Sequence, residues 1–356
     1  MRKIFKKITI LTVLVFMTAM LTIPAAAMDF SVRAVLPENQ RQNGSQFFDI
    51  IVRPGQEQEL MIEIVNLSDV EIVVLVETLT ASTSRNGQIN YTSRGELDES
   101  MKYSFEDLVQ TPESYHTIPA ESSIHVPITL SIPDGSFDGA MLGSIRVLKE
   151  VTQEEKDAAG AVVNQFAHVT AVRIIQSEDA ESLDPDFLMG DISAELVNYR
   201  ASIIANIRNP QPMIIKGARA TATIYERGSN QAIFEHTIET LDFAPNSIFP
   251  FSFIDREGYG ISAGDYTAKI DIEFDGRNWS FDEDFTIEPQ VAAAMNERAV
   301  NQTGQMRPNA GNGTASADES GIPMWAVIAI AAGAAVFTAL IALVIVLARR
   351  KPAIAN

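Results

Sequence analysis

Gly260-Ile261-Ser262-Ala263-Gly264 has the spacing of a serine nucleophile presented on a sharp turn. That chemistry needs a strand before the turn and a helix after it, so that the hydroxyl stands clear beside oxyanion-binding amides. Here Asp265-Tyr266-Thr267-Ala268-Lys269-Ile270 follows, and it alternates as a strand does. The string therefore reads as a glycine-rich loop between strands. The histidines, His116, His125, His168 and His236, have no partner at metal-ligand spacing. Acidic clusters occur at Asp184 and Asp186 and at Asp282-Glu283-Asp284, but no Asp-x-Asp-x-Asp-Gly calcium loop surrounds them. There is no P-loop and no Gly-x-Gly-x-x-Gly. The chain has no cysteine, which removes thiolate nucleophiles, zinc ribbons and disulfides. The expectation is a chain with no catalytic residues, no cofactor and no metal site.

The elements that carry these residues read as strands. Leu60, Ile62 and Ile64 alternate with Glu59, Met61 and Glu63, and Asn66-Leu67-Ser68-Asp69 makes a turn before the apolar strand Ile72–Glu77. Ile124, Val126, Ile128, Leu130 and Ile132 alternate with polar residues, and Pro127, which lacks an N–H, places that strand at a sheet edge. Gly143–Leu148 and Phe166–Ile175 supply further strands, and in this first domain only Glu154–Val163 reads as a helix or, alternatively, a loop insertion. The acidic, proline-containing stretch Ser177–Asp186 marks a domain boundary. Beyond it, Ala218–Tyr225 and Ile233–Ile238 form a hairpin, Tyr266 to Phe274 alternate strictly, and Trp279, Phe281, Phe285 and Ile287 close the domain. The fold class is all-β: two tandem immunoglobulin-like β-sandwich domains, 28–178 and 186–288.

Both ends read as export and anchoring segments rather than parts of the fold. Four basic residues precede an apolar run, Ile8 to Ile23, and Pro24-Ala25-Ala26-Ala27 ends a signal peptide, 1–27. Residues 289–322 read as a flexible linker whose start, Val291–Ala299, can form a short helix. Residues 323–348 form a transmembrane helix. Its uncharged stretch Trp325–Ala348 spans roughly 36 Å, enough for a bilayer. Arg349-Arg350-Lys351 holds the tail, 349–356, in the cytoplasm. This is a single-pass type I layout in the cell membrane. The whole chain carries 27 Lys+Arg against 46 Asp+Glu, a formal −19. Seven of those cations lie in the signal and tail, so 20 face all 46 acids in the exported part, a formal −26. Such a surface disfavours a basic nucleic-acid binder and resists non-specific attachment to anionic lipid or nucleic acid.

The exported chain resembles the WxL-interacting proteins, cell-surface proteins of Gram-positive bacteria. The first domain carries the resemblance in the stretch Phe30 to Gln40, in Phe48-Asp49 and Pro54-Gly55-Gln56, in Ala81 to Tyr91, and in Phe137-Asp138-Gly139-Ala140-Met141-Leu142-Gly143-Ser144-Ile145. The second adds Ala244-Pro245-Asn246-Ser247, Gly264-Asp265-Tyr266 and the aromatics from Trp279 to Ile287. Two strings depart from the family: its Ala-Thr-Thr-Asn reads Ala81-Ser82-Thr83-Ser84 here, and its Gly-Gly-Ile reads Gly143-Ser144-Ile145.

The resemblance implies a non-enzymatic surface adaptor. Its first domain would bind peptidoglycan, and its second a WxL-domain surface protein or a host extracellular protein. An adhesin that does not touch the wall, and a surface hydrolase, are the alternatives. Pro54, Gly55, Asn86, Gly87 and Gly139 read as turn formers. Arg85, Asn90 and Tyr91 flank one of those turns and are the candidate ligand-binding residues, with Tyr91 placed to stack on a sugar ring.

Overall fold

The structure is a computed structural model and describes residues 29–152, 157, 165–254 and 260–299. The expected signal peptide, transmembrane helix, tail, most of the linker and all but one residue of the stretch 154–163 lie outside these residues. No helix among the described residues is long and apolar enough to cross a membrane.

The described chain is mostly strand. The first sandwich contains β1 (Phe30–Val35), β2 (Phe48–Ile51), β3 (Glu57–Asn66), β4 (Ile72–Thr80), β5 (Ser82–Thr83), β6 (Ile89–Asn90), β7 (Glu113–Ile118), β8 (Ser123–Ser131), β9 (Ala140–Lys149) and β10 (Ala167–Ile175). Its sheets have the orders β1-β3-β8 and β2-β10-β9-β4-β7, with β5 and β6 as a separate small hairpin. Only β2 and β10 pair in parallel; the other pairs are antiparallel. Leu60, Ile62 and Ile64 of β3 point into the core with Val126, Ile128 and Leu130 of β8, as the two-residue period dictates. Pro127 sits on β8, an edge strand, as expected from its missing donor.

A short helix, Phe105–Leu108, plugs the end of this core. Ser104 and Asp107 form a reciprocal capping box that starts it. Phe105, buried, lies over Gly143 of β9, where a Cβ would overlap its ring. Glycine is required at that position by close approach.

The second sandwich contains β11 (Leu188–Val197), β12 (Arg200–Asn209), β13 (Ile215–Glu226), β14 (Ala232–Phe243), β15 (Ser247–Ile254), β16 (Gly264–Phe274) and β17 (Arg277–Ile287). The orders are β11-β12-β15 and β14-β13-β16-β17, all antiparallel. Ile203, Ala205 and Ile207 meet Phe249, Phe251 and Ile270 in its core. The sequence reading did not single out β1, β2, β5, β6, β7 or β15 as strands. In β15 the run Ser-Ile-Phe-Pro-Phe-Ser-Phe-Ile hides its alternation, and Pro250 is tolerated because β15 is an edge.

The stretch expected to be a linker begins as a helix, Pro289–Arg298. Proline at its first turn lacks only a donor that has no partner there anyway. The helix lies against β11 and β12, with Ala292 and Ala299 buried, and Asn296 exchanges two hydrogen bonds with the backbone of Ile261. Both sandwiches fall within one compact unit rather than hanging as separate beads.

Candidate binding cleft at the junction of the sandwiches

The β5–β6 hairpin and the loop after it reach from the first sandwich onto the second. Thr83 Oγ1 accepts from the Ala244 amide at 3.0 Å and lies 2.6 Å from Ser247 Oγ. The Gly87 carbonyl accepts from the Asp242 amide at 2.9 Å, and Leu97 bridges to Ser247. The Asp98 amide donates to the Asn246 carbonyl at 2.8 Å, and Asn246 Nδ2 donates to Ser100 Oγ and the Pro210 carbonyl. From the other side the Ala140 amide donates to the Pro212 carbonyl at 2.7 Å. Gly139, at φ +73°, makes that approach possible, since any Cβ there would overlap the Pro212 carbonyl oxygen.

One ion pair dominates the junction. Arg208 grips Asp98 through Nε at 2.5 Å and Nη2 at 3.2 Å, and reaches the exposed Glu99 at 2.7 Å. The Asp98 side chain is fully buried, and that of Arg208 is 21% exposed. Burial alone would raise the Asp98 carboxyl. Hydrogen bonds from Arg208 and Ser100 outweigh it, and the carboxyl titrates below its usual value. Arg208 is held protonated above its ordinary range, chiefly by its bond to Asp98.

Beside this clasp opens a cleft of about 320 Å³. Residues 100–103 form one wall, residues 136–142 the floor, and Pro210, Pro212, Pro245 and Asn246 of the second sandwich the far side. Lys102 lies 5.0 Å from the centre of the Tyr103 ring, in cation–π reach. Phe137 and Tyr103 are half-buried against the first core, while Ser136 and Asp138 are exposed. Concave, half-apolar sites with a few polar groups on the rim are where small ligands bind.

Arg85, Asn90 and Tyr91 do not line this cleft. Arg85 pairs with Glu195 of β11 at 2.9 Å, with both side chains well exposed. Asn90 Nδ2 donates to Ser82 Oγ and to Ser93, and its Oδ1 accepts from Thr92. Tyr91 packs with Ala81, Leu142 and Ala244 between the sandwiches, and burial pushes its phenol up to about 12. The three side chains thus have partners within the protein. Gly55, Gly87 and Gly139 all sit at positive φ, as turn formers do.

Ser262 lies on the exposed loop leading directly into β16, with no helix after it, and its carbonyl accepts from the Tyr266 hydroxyl at 2.9 Å. His168 Nε2 lies 3.0 Å from the Phe30 carbonyl, and His116 is 2.8 Å from Ser114 Oγ, its pKa lowered by burial. Among the described residues no group of three or more His, Asp or Glu is placed to hold a metal ion.

Sequence reasoning missed the cleft and the ion pair. Phe137-Asp138-Gly139 was visible as a string, but nothing in it announced that Pro212, more than seventy positions away, would face it.

Among solved structures, the chain is similar to a chaperone–tip adhesin complex of CFA/I fimbriae, at 10% identity over 74% of this chain and 100% of that one, TM-score 0.28. It is also similar to the YadV chaperone, at 12% identity over 72% and 100%, TM-score 0.26. A third is the CupB2 chaperone of Pseudomonas aeruginosa, at 12% identity over 65% and 95%, TM-score 0.23. These scores are too low to bear on function. No curated protein matches. Family models do match: residues 30–149 fit the peptidoglycan-binding domain of the WxL-interacting proteins, and residues 157–297 fit their host-binding domain. The second match starts ahead of β10, a strand that pairs in the first sandwich, so matched regions and sandwiches do not share a boundary. The two matches follow one another and together take in well over half of the sequence, and on that ground the chain belongs to the WxL-interacting protein family.

Proposed function

We propose that this chain is a non-enzymatic surface adaptor of a Gram-positive cell. One C-terminal helix anchors it in the cell membrane with the sandwiches outside. Peptidoglycan is held by the first sandwich, and a WxL-domain surface protein or a host extracellular protein by the second. The observation that carries this reading is the succession of a peptidoglycan-binding match over 30–149 and a host-binding match over 157–297. The acid-rich exported surface supports partners other than nucleic acid. The order β11-β12-β15 against β14-β13-β16-β17 supports an immunoglobulin-like second sandwich.

The test is co-sedimentation with purified sacculi across a salt series. It uses residues 28–307, a span that contains both sandwiches of the one compact unit. Pelleting that survives salt supports the adaptor. Failure to pellet at any salt overturns wall binding and leaves a tethered adhesin.

A further inference from the structure

We propose that the junctional cleft is the seat of an N-acetylated amino sugar of a wall glycan, held by Lys102, Tyr103, Ser136 and Asp138 against Phe137 and Pro212. This rests on the wall-binding reading above and gives it a site. The Tyr103 hydroxyl, the Ser136 hydroxyl and the Asp138 carboxylate make no hydrogen bond to any described residue, and Lys102 makes only its contact with the Tyr103 ring. Asp98 and Arg208 beside the cleft hold each other, and Asn246 on its far side holds Ser100 and the Pro210 carbonyl. The four polar side chains of this rim, Lys102, Tyr103, Ser136 and Asp138, have no such bonds to any described residue.

The chemistry of the rim selects the ligand. A sugar presents hydroxyls that donate and accept, alternating around a ring with apolar C–H faces. Lys102 donates, Asp138 accepts, and the two hydroxyls do either. Phe137 and the proline rings give the apolar wall on which a ring face or an acetyl methyl can rest. A multiply charged anion is disfavoured, because the rim sets one cation against one acid. An extended peptide added to the backbone is disfavoured for a different reason. The amides of Met101, Phe137 and Ala140 are already bonded, to the Asp98 carbonyl, the Gln176 side chain and the Pro212 carbonyl. The volume, at the low end for small-molecule sites, suits a single sugar unit of a chain that continues outside.

The site is shared between the sandwiches: the second supplies Pro210, Pro212, Pro245 and Asn246. Wall binding would then depend on the clasp, and a fragment of the first sandwich alone would carry half a cleft.

The experiment uses residues 28–307 and two probes, the tetramer of N-acetylglucosamine by calorimetry and sacculi by pelleting. The variant Tyr103→Phe/Asp138→Asn changes only open groups. It should lose at least tenfold in affinity for both probes with an unchanged melting temperature. Ser136→Trp, which fills the cleft from an exposed position, should do the same. If wild type pellets and both variants pellet equally well, the cleft is not the site, although wall binding stands. If wild type does not pellet, wall binding itself falls and the cleft with it. If free stem peptide displaces the protein from sacculi and the sugar tetramer does not, the sugar assignment is overturned.

Discussion

Replacing Arg208 by methionine tests whether the two sandwiches are energetically one body. The change keeps most of the side-chain volume and removes the cation. Asp98 stays behind with its side chain fully buried. Breaking a buried pair from one side costs about 3–5 kcal/mol. Asp98 retains the Ser100 amide at 2.9 Å, and Arg208 is partly exposed, so the low end, about 3 kcal/mol, applies. Glu99, whose side chain is 82% exposed, adds little. For a unit of this size about 3 kcal/mol lowers the melting temperature by about 5 °C.

The pH dependence has a definite sign. The folded pKa of Asp98 in the wild type lies below its unfolded value, so the pair's contribution is present above about pH 4 and lost as pH falls below it. In the variant only the Ser100 bonds oppose burial, and Asp98 takes up a proton more readily in the fold than it does in the wild type. The gap between wild type and variant should therefore be widest near pH 7 and shrink towards pH 4. Asp98→Asn/Arg208→Met should recover much of the loss. Calorimetry of residues 28–307 reads all three. A shift under about 2 °C at pH 7, or a double variant no better than the single, refutes the reasoning.

Three further outcomes are expected. Gly139→Ala meets both a positive φ and the Pro212 carbonyl oxygen, and should cost about 2–4 kcal/mol by chemical denaturation, with a split into two transitions. Phe105→Ala empties the space over Gly143 and should cost about 3–5 kcal/mol, with the loss confined to the first sandwich by hydrogen exchange. Arg85→Ala/Tyr91→Ala should pellet with sacculi as wild type does while melting lower. Lost pelleting at an unchanged melting temperature would instead assign the pair to the ligand.

Strand-level structure was legible wherever one face was buried and the other wet. β3, β8 and β16 announce themselves because large apolar residues recur at every second position, with mostly polar residues between them. β15 does not, because its outward positions carry Ile248, Pro250 and Ile254 instead of charges. The helix at Pro289 was half-visible, since its alanines gave no strong apolar stripe. The junction was illegible for another reason. Asp98 and Arg208 stand 110 positions apart in segments that read locally as a turn and a strand. Their pairing is a property of the folded surface and has no period along the chain. The hairpin with Arg85, Asn90 and Tyr91 looked like a ligand loop because it is polar and turn-rich, and a loop that docks on another sandwich looks the same.

The docked helix Pro289–Arg298 also fixes how the molecule takes a mechanical load. A pull on the chain beyond Ala299 does not start at the end of β17, where a strand would peel away rung by rung. It first meets a helix seated by Ala292 and Ala299 and pinned by the two bonds between Asn296 and Ile261. That helix acts as a strain relief, like the collar on a cable, and the sheet behind it bears tension only after the collar has torn free.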